Sequence, residues 1–374
     1  MHDGTHLETG DPSVVKRASA VERASVVDKV LLADPRGFCA GVEMAIKALA
    51  WMVRIFEPPV YCYHEIVHNR LVVEEFSRQG VVFVDDVDEV PPGSALMLSA
   101  HGSAPEVEEA AATGQRVVVD AVCPLVTKVH HELKVRANKG YTVVYVGHAG
   151  HEEAIGTMAV APDAVRLVQS EADVAGLGEP GTPVALLAQT TLPHDEWAGI
   201  AEATRRRFPE LWMPGRSDLC YATTNRQDAL RRIAGRCDAV VVIGSANSSN
   251  TVSLTHVAAS AGCNRVLRVN SAAELPADLA GVVGVTAGAS APEWLVSEVL
   301  EALDPLDGIE TARTVEEDEY FPPPRDLRDL LRAVSAAACV TLGIAEPGAP
   351  PGTSDREVAA ADMLAAGRDL PGAA

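Results

Sequence analysis

The 374-residue sequence carries seven cysteines, at 39, 62, 123, 220, 237, 263 and 339, yet has no Cys-x-x-Cys pair and no tight framework of spacings. A disulfide-stapled secreted fold and a zinc ribbon both need such spacings, so the sequence argues against both. There is no Gly-x-x-x-x-Gly-Lys-Ser/Thr phosphate loop. The first thirty residues are charged throughout and lack the apolar core of a signal peptide. The longest weakly apolar run, 333–345, is too short to span a bilayer and contains Ser, Thr and Gly. Basic residues are also short in number: 31 Lys and Arg against 52 Asp and Glu give a net charge of −21. That balance opposes a nucleic-acid or anionic-membrane partner. Together these absences describe a cytoplasmic protein with reduced thiols. What remains is an ordinary globular composition, 47% hydrophobic and 22% charged, long enough for two or three domains.

From residue 29 to about 308, short β-rich runs alternate with helical patterns. The runs are 29–33, 60–63, 81–84, 95–99, 116–119, 142–146, 185–188, 239–243, 265–269 and 281–286. Helical periodicity covers 42–55, 124–138, 194–208 and 224–234 between some of them. The alternation predicts an α/β protein with small, mainly parallel sheets. The division expected is a loose arm over 1–28 and three α/β units over 29–122, 123–217 and 218–308. The first strand of the first unit is free to pack with the third. The tail, 309–374, is rich in Pro, Ala and acid and is expected to be largely disordered, apart from a short amphipathic helix over 326–338. A weak internal repeat supports three units. Three times a short turn with one cysteine feeds a helix: Asp34-Pro35-Arg36-Gly37-Phe38-Cys39, Asp120-Ala121-Val122-Cys123-Pro124 and Asp218-Leu219-Cys220-Tyr221.

On spacing alone, each of Cys39, Cys123 and Cys220 is best read as a small buried hydrophobe. Polar neighbours weaken that reading, and three thiolates from three units suit a soft metal or an iron–sulfur cluster. Cys62, Cys237, Cys263 and Cys339 lie in apolar or helical contexts and fit core positions. His64, His68, His101, His148 and His151 fall at or near strand ends, where α/β proteins bind ligands. Zinc is the rival reading, although His151-x-Glu153 lacks the His-Glu-x-x-His spacing. Three polar clusters, Gln189-Thr190-Thr191, Asn247-Ser248-Ser249-Asn250 and Thr286 to Ser290, each follow a β run. Taken singly each is an N-cap; taken together with His68 and His101 they resemble a diphosphate pocket built from neutral donors. Glu153 is the natural proton donor, because desolvation or a nearby anion raises a carboxyl pKa, but spacing alone does not separate it from Glu152.

At these residues the chain resembles the 4-hydroxy-3-methylbut-2-enyl diphosphate reductases, which catalyse the last step of the non-mevalonate isoprenoid pathway. The strings ADPRGFCAGV, HEIVHNR, SAHG, CPLVTKVH, GHAGHEE, QTT, CYATTNRQ, NSSN and TAGASAP occur in that order over residues 29–310. The resemblance implies a trefoil of three α/β units around a central 4Fe–4S cluster with one open iron, held by Cys39, Cys123 and Cys220. It implies that His68, His101, His151, Ser248, Ser249, Asn250 and Ser290 hold the diphosphate, that Thr190 sits near the substrate hydroxyl, and that Glu153 delivers protons. The implied reaction removes the allylic hydroxyl reductively and yields isopentenyl and dimethylallyl diphosphates. Electrons come from a ferredoxin or flavodoxin, with no nicotinamide site. Three features depart from the family. Both tails are long, no basic residue stands at 246 or just after Asn250, and Ile155 replaces a frequent acid. A zinc phosphohydrolase using His151, Glu153 and a cysteine, and a catalytically dead binding module, are the competing readings. From Asp304 onward the chain holds 14 acidic and 6 basic residues. An acidic electron donor would therefore need a local basic patch on the core.

Overall fold

The structure, a computed structural model, describes residues 26–179, 181–343 and 355–366. Three parallel sheets carry the fold, and each arises from the short Val- and Ile-rich runs of the sequence. The first sheet has the order β3-β2-β4-β5, from β2 (Val60–Tyr63), β3 (Val81–Val84), β4 (Ala95–Leu98) and β5 (Val117–Asp120). Helices α1 (Ala40–Ile55), α2 (Arg70–Arg78) and α3 (Pro105–Thr113) accompany it. The second has the order β7-β6-β8, from β6 (Thr142–Val146), β7 (Val165–Val168) and β8 (Val184–Ala188). With it go α4 (Pro124–Asn138), α5 (Glu152–Ala159), α6 (Glu171–Gly176) and α7 (His194–Arg207). The third contains β9 (Ala239–Ile243), β10 (Val266–Val269), β11 (Gly281–Ala287), β1 (Val27–Asp34) and β12 (Ile309–Arg313), in the order β10-β9-β11-β1-β12. Its helices are α8 (Tyr221–Ala234), α9 (Ser249–Ser260) and α10 (Glu293–Leu303).

Central strands such as β9 and β4 are buried at every position. Parallel strands covered on both faces must be apolar throughout, which is why these runs stand out in the sequence. The expected α/β class with small parallel sheets is the observed one, and the three units form a trefoil. The expected strand runs lie within two residues of the observed strands. Strand β1 leaves its sequence neighbours and inserts between β11 and β12. Two strands have no counterpart among the expected runs. Strand β7 reads Val-Arg-Leu-Val, with Arg166 exposed. Strand β12 reads Ile-Glu-Thr-Ala-Arg, too polar to stand out, and forms because β1 offers it a free edge.

The tail requires a correction. Its composition predicts that it is largely disordered, but residues 309–343 and 355–366 are ordered. Beyond β12, helix α11 (Arg325–Leu342) buries Leu327 and Leu331 in the core of the first unit, with Leu330 packed against it. Helix α12 (Ala360–Ala366) adds Ala360, Met363 and Leu364 to the same core. The Ala360 amide is capped by the Glu43 carboxylate, and buried Lys47 donates to the Asp355 carbonyl. A few leucines and a methionine at helical spacing outweigh the acidic and proline-rich composition around them, because composition averages over the residues that dock. Residues 1–25 of the expected arm, and 344–354 and 367–374 of the tail, lie outside the described residues.

This docking predicts a measurable cost. Leu327 is fully buried, so Leu327→Ala should lower the unfolding free energy by about 2–5 kcal/mol in a denaturant titration. A loss below about 0.5 kcal/mol, the size expected of a surface change, would show that the tail does not pack on the core.

Candidate active site

Cys39, Cys123 and Cys220 occupy the same structural position in three different units. Each is the N-cap residue of a helix, α1, α4 and α8 respectively, with extended backbone. The three are also held alike. The Cys39 amide donates to the Ala289 carbonyl at 3.2 Å, Cys123 to Ala100 at 3.0 Å and Cys220 to Thr190 at 2.8 Å. Those carbonyls lie two residues beyond the ends of β11, β4 and β8. One backbone bond, used three times, therefore aims three helix N-termini and three thiols into one cavity. Gly41 keeps that centre open: a Cβ there would stand 2.8 Å from Cys123 Sγ.

The electrostatics of the thiols favour a cation among them. Burial pushes the Cys123 and Cys220 thiols up, Cys220 to about 12, and each is raised further by Cys39. Backbone amides of the first helical turn pull the other way: Leu125 and Val126 bond Cys123, and Thr223 and Ala222 bond Cys220. Three crowded thiolates need a positive centre to be stable here. Three buried or half-buried thiols opening on one cavity are a donor set that suits a soft metal centre. Among the described residues, His68, His101 and Glu152 also bring their ligand atoms within 4.8 Å of one another.

A polar chamber adjoins the thiols. His68 and His101 stack with centroids 3.8 Å apart, and His151 meets His68 edge-on at 5.4 Å. Burial, and then His68, lower His101 to about 4; burial, His68 and His101 lower His151 to about 3. Both rings are neutral at pH 7. The His151 Nδ1 accepts the Glu153 amide at 3.2 Å, so its proton sits on Nε2, which is buried without a partner. Opposite them, Ser248 caps α9, while Ser249 accepts from Thr191 at 3.0 Å. Asn250 accepts the Ala289 amide and donates to Thr223. Ser290 donates to the His68 carbonyl. No Lys or Arg lines the cavity among the described residues.

The two adjacent acids separate cleanly. Glu153 is buried beside the thiols, where its Oε1 accepts the Thr190 amide at 2.7 Å and its Oε2 the Thr190 hydroxyl at 3.0 Å. Burial raises it to about 7 against the pull of those two bonds. Glu152 points the other way, 2.8 Å from His101 Nδ1 and 3.1 Å from His64 Nδ1. Burial opposes its charge, but the His101 and His64 contacts outweigh it and hold this carboxyl well below the usual range.

All twelve residues anticipated from the sequence, Cys39, Cys123, Cys220, His68, His101, His151, Glu153, Thr190, Ser248, Ser249, Asn250 and Ser290, line this one cavity. His148 does not; it pairs with Glu196. Thr191 and Thr223 also line it. One further spacing in the sequence, His64-Glu65-Ile66-Val67-His68, has the zinc-protease pattern. It lies in the non-helical link between β2 and α2, with His64 at φ 59°, so the pattern's helical face does not form. Glu65 instead contacts His68 Nδ1 and accepts from Asn247.

The family model described as "LytB protein" matches residues 30–304. The chain belongs to the LytB family. A LytB relative from Rhodopirellula baltica, named 4-hydroxy-3-methylbut-2-enyl diphosphate reductase, is 47% identical over 315 residues, 83% of this chain and 98% of that protein. One of the same name from Mycolicibacterium paratuberculosis is 45% identical over 326 residues, 86% of this chain and 98% of that one. A solved structure of E-1-hydroxy-2-methyl-but-2-enyl-4-diphosphate reductase from Plasmodium falciparum superposes with a TM-score of 0.79. It is 31% identical and covers 83% of this chain and 99% of that one.

Rings lowered that far should not titrate near neutrality: in the free, metal-free chain the imidazole NMR signals of His101 and His151 should stay fixed between about pH 6 and 8, where an ordinary imidazole would move. Titration of either ring in that window would contradict this account.

Proposed function

We propose that this chain reductively dehydroxylates (E)-4-hydroxy-3-methylbut-2-enyl diphosphate to isopentenyl and dimethylallyl diphosphates, as the terminal step of the non-mevalonate pathway. The observation that carries the reading is the union, in one cavity, of three helix-capping thiols, a neutral-donor anion chamber and a carboxyl raised to about 7. The names of the relatives supply the substrate. In this reading Cys39, Cys123 and Cys220 hold one 4Fe–4S cluster. When bound, the cluster supplies electrons one at a time and a Lewis-acidic iron.

The chain's own residues do the rest. The imidazoles of His68, His101 and His151, with Ser248, Ser249, Asn250 and Ser290, anchor the diphosphate and fix the short allylic chain in reach of the thiol end. The reaction consumes two electrons and two protons and releases water. Hydroxide leaves poorly, so a proton must reach the departing oxygen. Glu153 holds that proton near neutral pH, and the Thr190 hydroxyl, 3.0 Å from its Oε2, links it to the cavity. We assign the protein to the cytoplasm, with a small ferredoxin or flavodoxin as electron donor. No described helix is long and apolar enough to cross a membrane. The zinc phosphohydrolase alternative is less well supported, because among the described residues the compact ligand group, His68, His101 and Glu152, omits His151, Glu153 and cysteine.

Anaerobically reconstituted protein should be brown and contain about four iron and four sulfide per chain. Colourless, iron-free protein would contradict the cluster. Glu153→Gln should keep the colour and lower kcat by about two to four orders of magnitude, the usual worth of a positioned acid. Unchanged turnover would remove Glu153 from proton delivery. In the wild type, kcat/KM should fall as pH rises through about 7, because the carboxyl is raised and loses its proton there. A flat profile between pH 6 and 8 would contradict that role.

A further inference from the structure

Arg226 is the largest fully buried side chain among the described residues, and it lies outside the cavity. Every arm of its guanidinium is used. Nε and one terminal nitrogen donate to the Gly37 carbonyl at 3.0 and 2.8 Å, and the same terminal nitrogen donates to Phe38 at 3.1 Å. The other donates to the Ala222 carbonyl at 2.9 Å and to both oxygens of Glu317 at 3.1 and 3.2 Å. Gly37 and Phe38 immediately precede Cys39, and Ala222 lies two residues after Cys220. Gly37 has a φ of 68°, so its carbonyl is presented by a turn that other residues strain to make. One guanidinium thus ties the turn of one thiol to the helix start of another.

The counter-charge comes from elsewhere. Glu317 lies beyond the stretch matched by the family model, in the tail between β12 and α11. It also accepts from Asn225 at 2.9 Å. Its segment is fixed on both sides: Thr314 bonds the Asp34 carbonyl, Arg356 pairs with Asp318, and the Tyr320 hydroxyl donates to Asp355 at 2.7 Å. A buried guanidinium without its carboxylate is strongly unfavourable, and five donors demand acceptors of fixed geometry. We propose that Glu317 and Arg226 form a positioning brace through which the C-terminal segment sets the placement of Cys39 and Cys220. Its bearing on a metal cluster rests on the function proposed above; its bearing on the thiols does not. Cys123 is outside the brace, since its turn is held by Ala100 and none of Arg226's bonds reach it.

The test uses the full-length, metal-free, reduced chain under anaerobic conditions. Pulse alkylation with iodoacetamide, read peptide by peptide in a mass spectrometer, reports each thiol separately. In Glu317→Gln, Cys39 and Cys220 should react about tenfold faster, while Cys123 stays within about twofold of wild type. Glu317→Asp, which keeps the charge, should return both rates most of the way. In an Arg226→Met background, Glu317→Gln should add nothing, because the brace is already lost. Equal acceleration of all three thiols in Glu317→Gln would mean general loosening, and no acceleration would mean no brace; either overturns the proposal. If Arg226→Met does not fold, the pair Glu317→Gln and Glu317→Asp decides alone. Iron analysis of the same variants after reconstitution separates the two readings. Selective alkylation with no iron in any variant, wild type included, would sink the cluster and leave the brace. Wild-type iron together with unaltered thiol rates would sink the brace and leave the cluster.

Discussion

The structure depends on a backbone hydrogen bond made three times, from a cysteine amide to the carbonyl two residues past a strand end. Ala100, Thr190 and Ala289 provide the carbonyls. A parallel strand ends at a defined height in its sheet, so the residue two positions beyond it is placed with little freedom. The bond carries that precision across to the helix N-cap and its thiol. The same three loops then supply the chamber: His101 follows Ala100, Thr190 itself faces Glu153, and Ser290 follows Ala289. Thiol placement and ligand chamber are consequently one construction, and neither can shift without the other.

In a chain with a net charge of −21, no lysine or arginine lines the cavity among the described residues. Neutral imidazoles, hydroxyls, an amide and helix N-termini take their place. Their environment suppresses charge, because burial lowers His101 and His151 far below neutrality. The same burial raises Glu153 to about 7. Desolvation thus acts in opposite directions on bases and acids, and in both cases it favours the uncharged form. Glu152 carries the negative charge that this arrangement excludes. It is displaced to the rear of the histidines, where His64 and His101 hold it.

The parts of this design that are legible in the sequence are those fixed by local pattern. Buried parallel strands must be continuously apolar, so their runs are visible, and each critical cysteine opens a helix just past a turn. Spacing does not choose Glu153 over Glu152, because adjacent residues at a helix start differ by about 100° in direction, and only the tertiary fold says which one meets Thr190. Strand β12 and Arg226 are invisible for a related reason. Strand β12 is polar and exists because β1 has a free edge. Arg226 reads as an ordinary helix arginine until Gly37, Phe38 and Glu317 surround it. The tail reads as disordered because its composition is acidic and proline-rich, while its structure rests on Leu327, Leu331, Met363 and Leu364.

The central claim is that the three equivalent thiols share one multi-iron group. Anomalous X-ray scattering at the iron edge, from crystals of anaerobically reconstituted protein, tests it directly. The account predicts a single strong peak enclosed by the sulfurs of Cys39, Cys123 and Cys220. A peak absent there, or one seated instead on His68, His101 and Glu152, would contradict it.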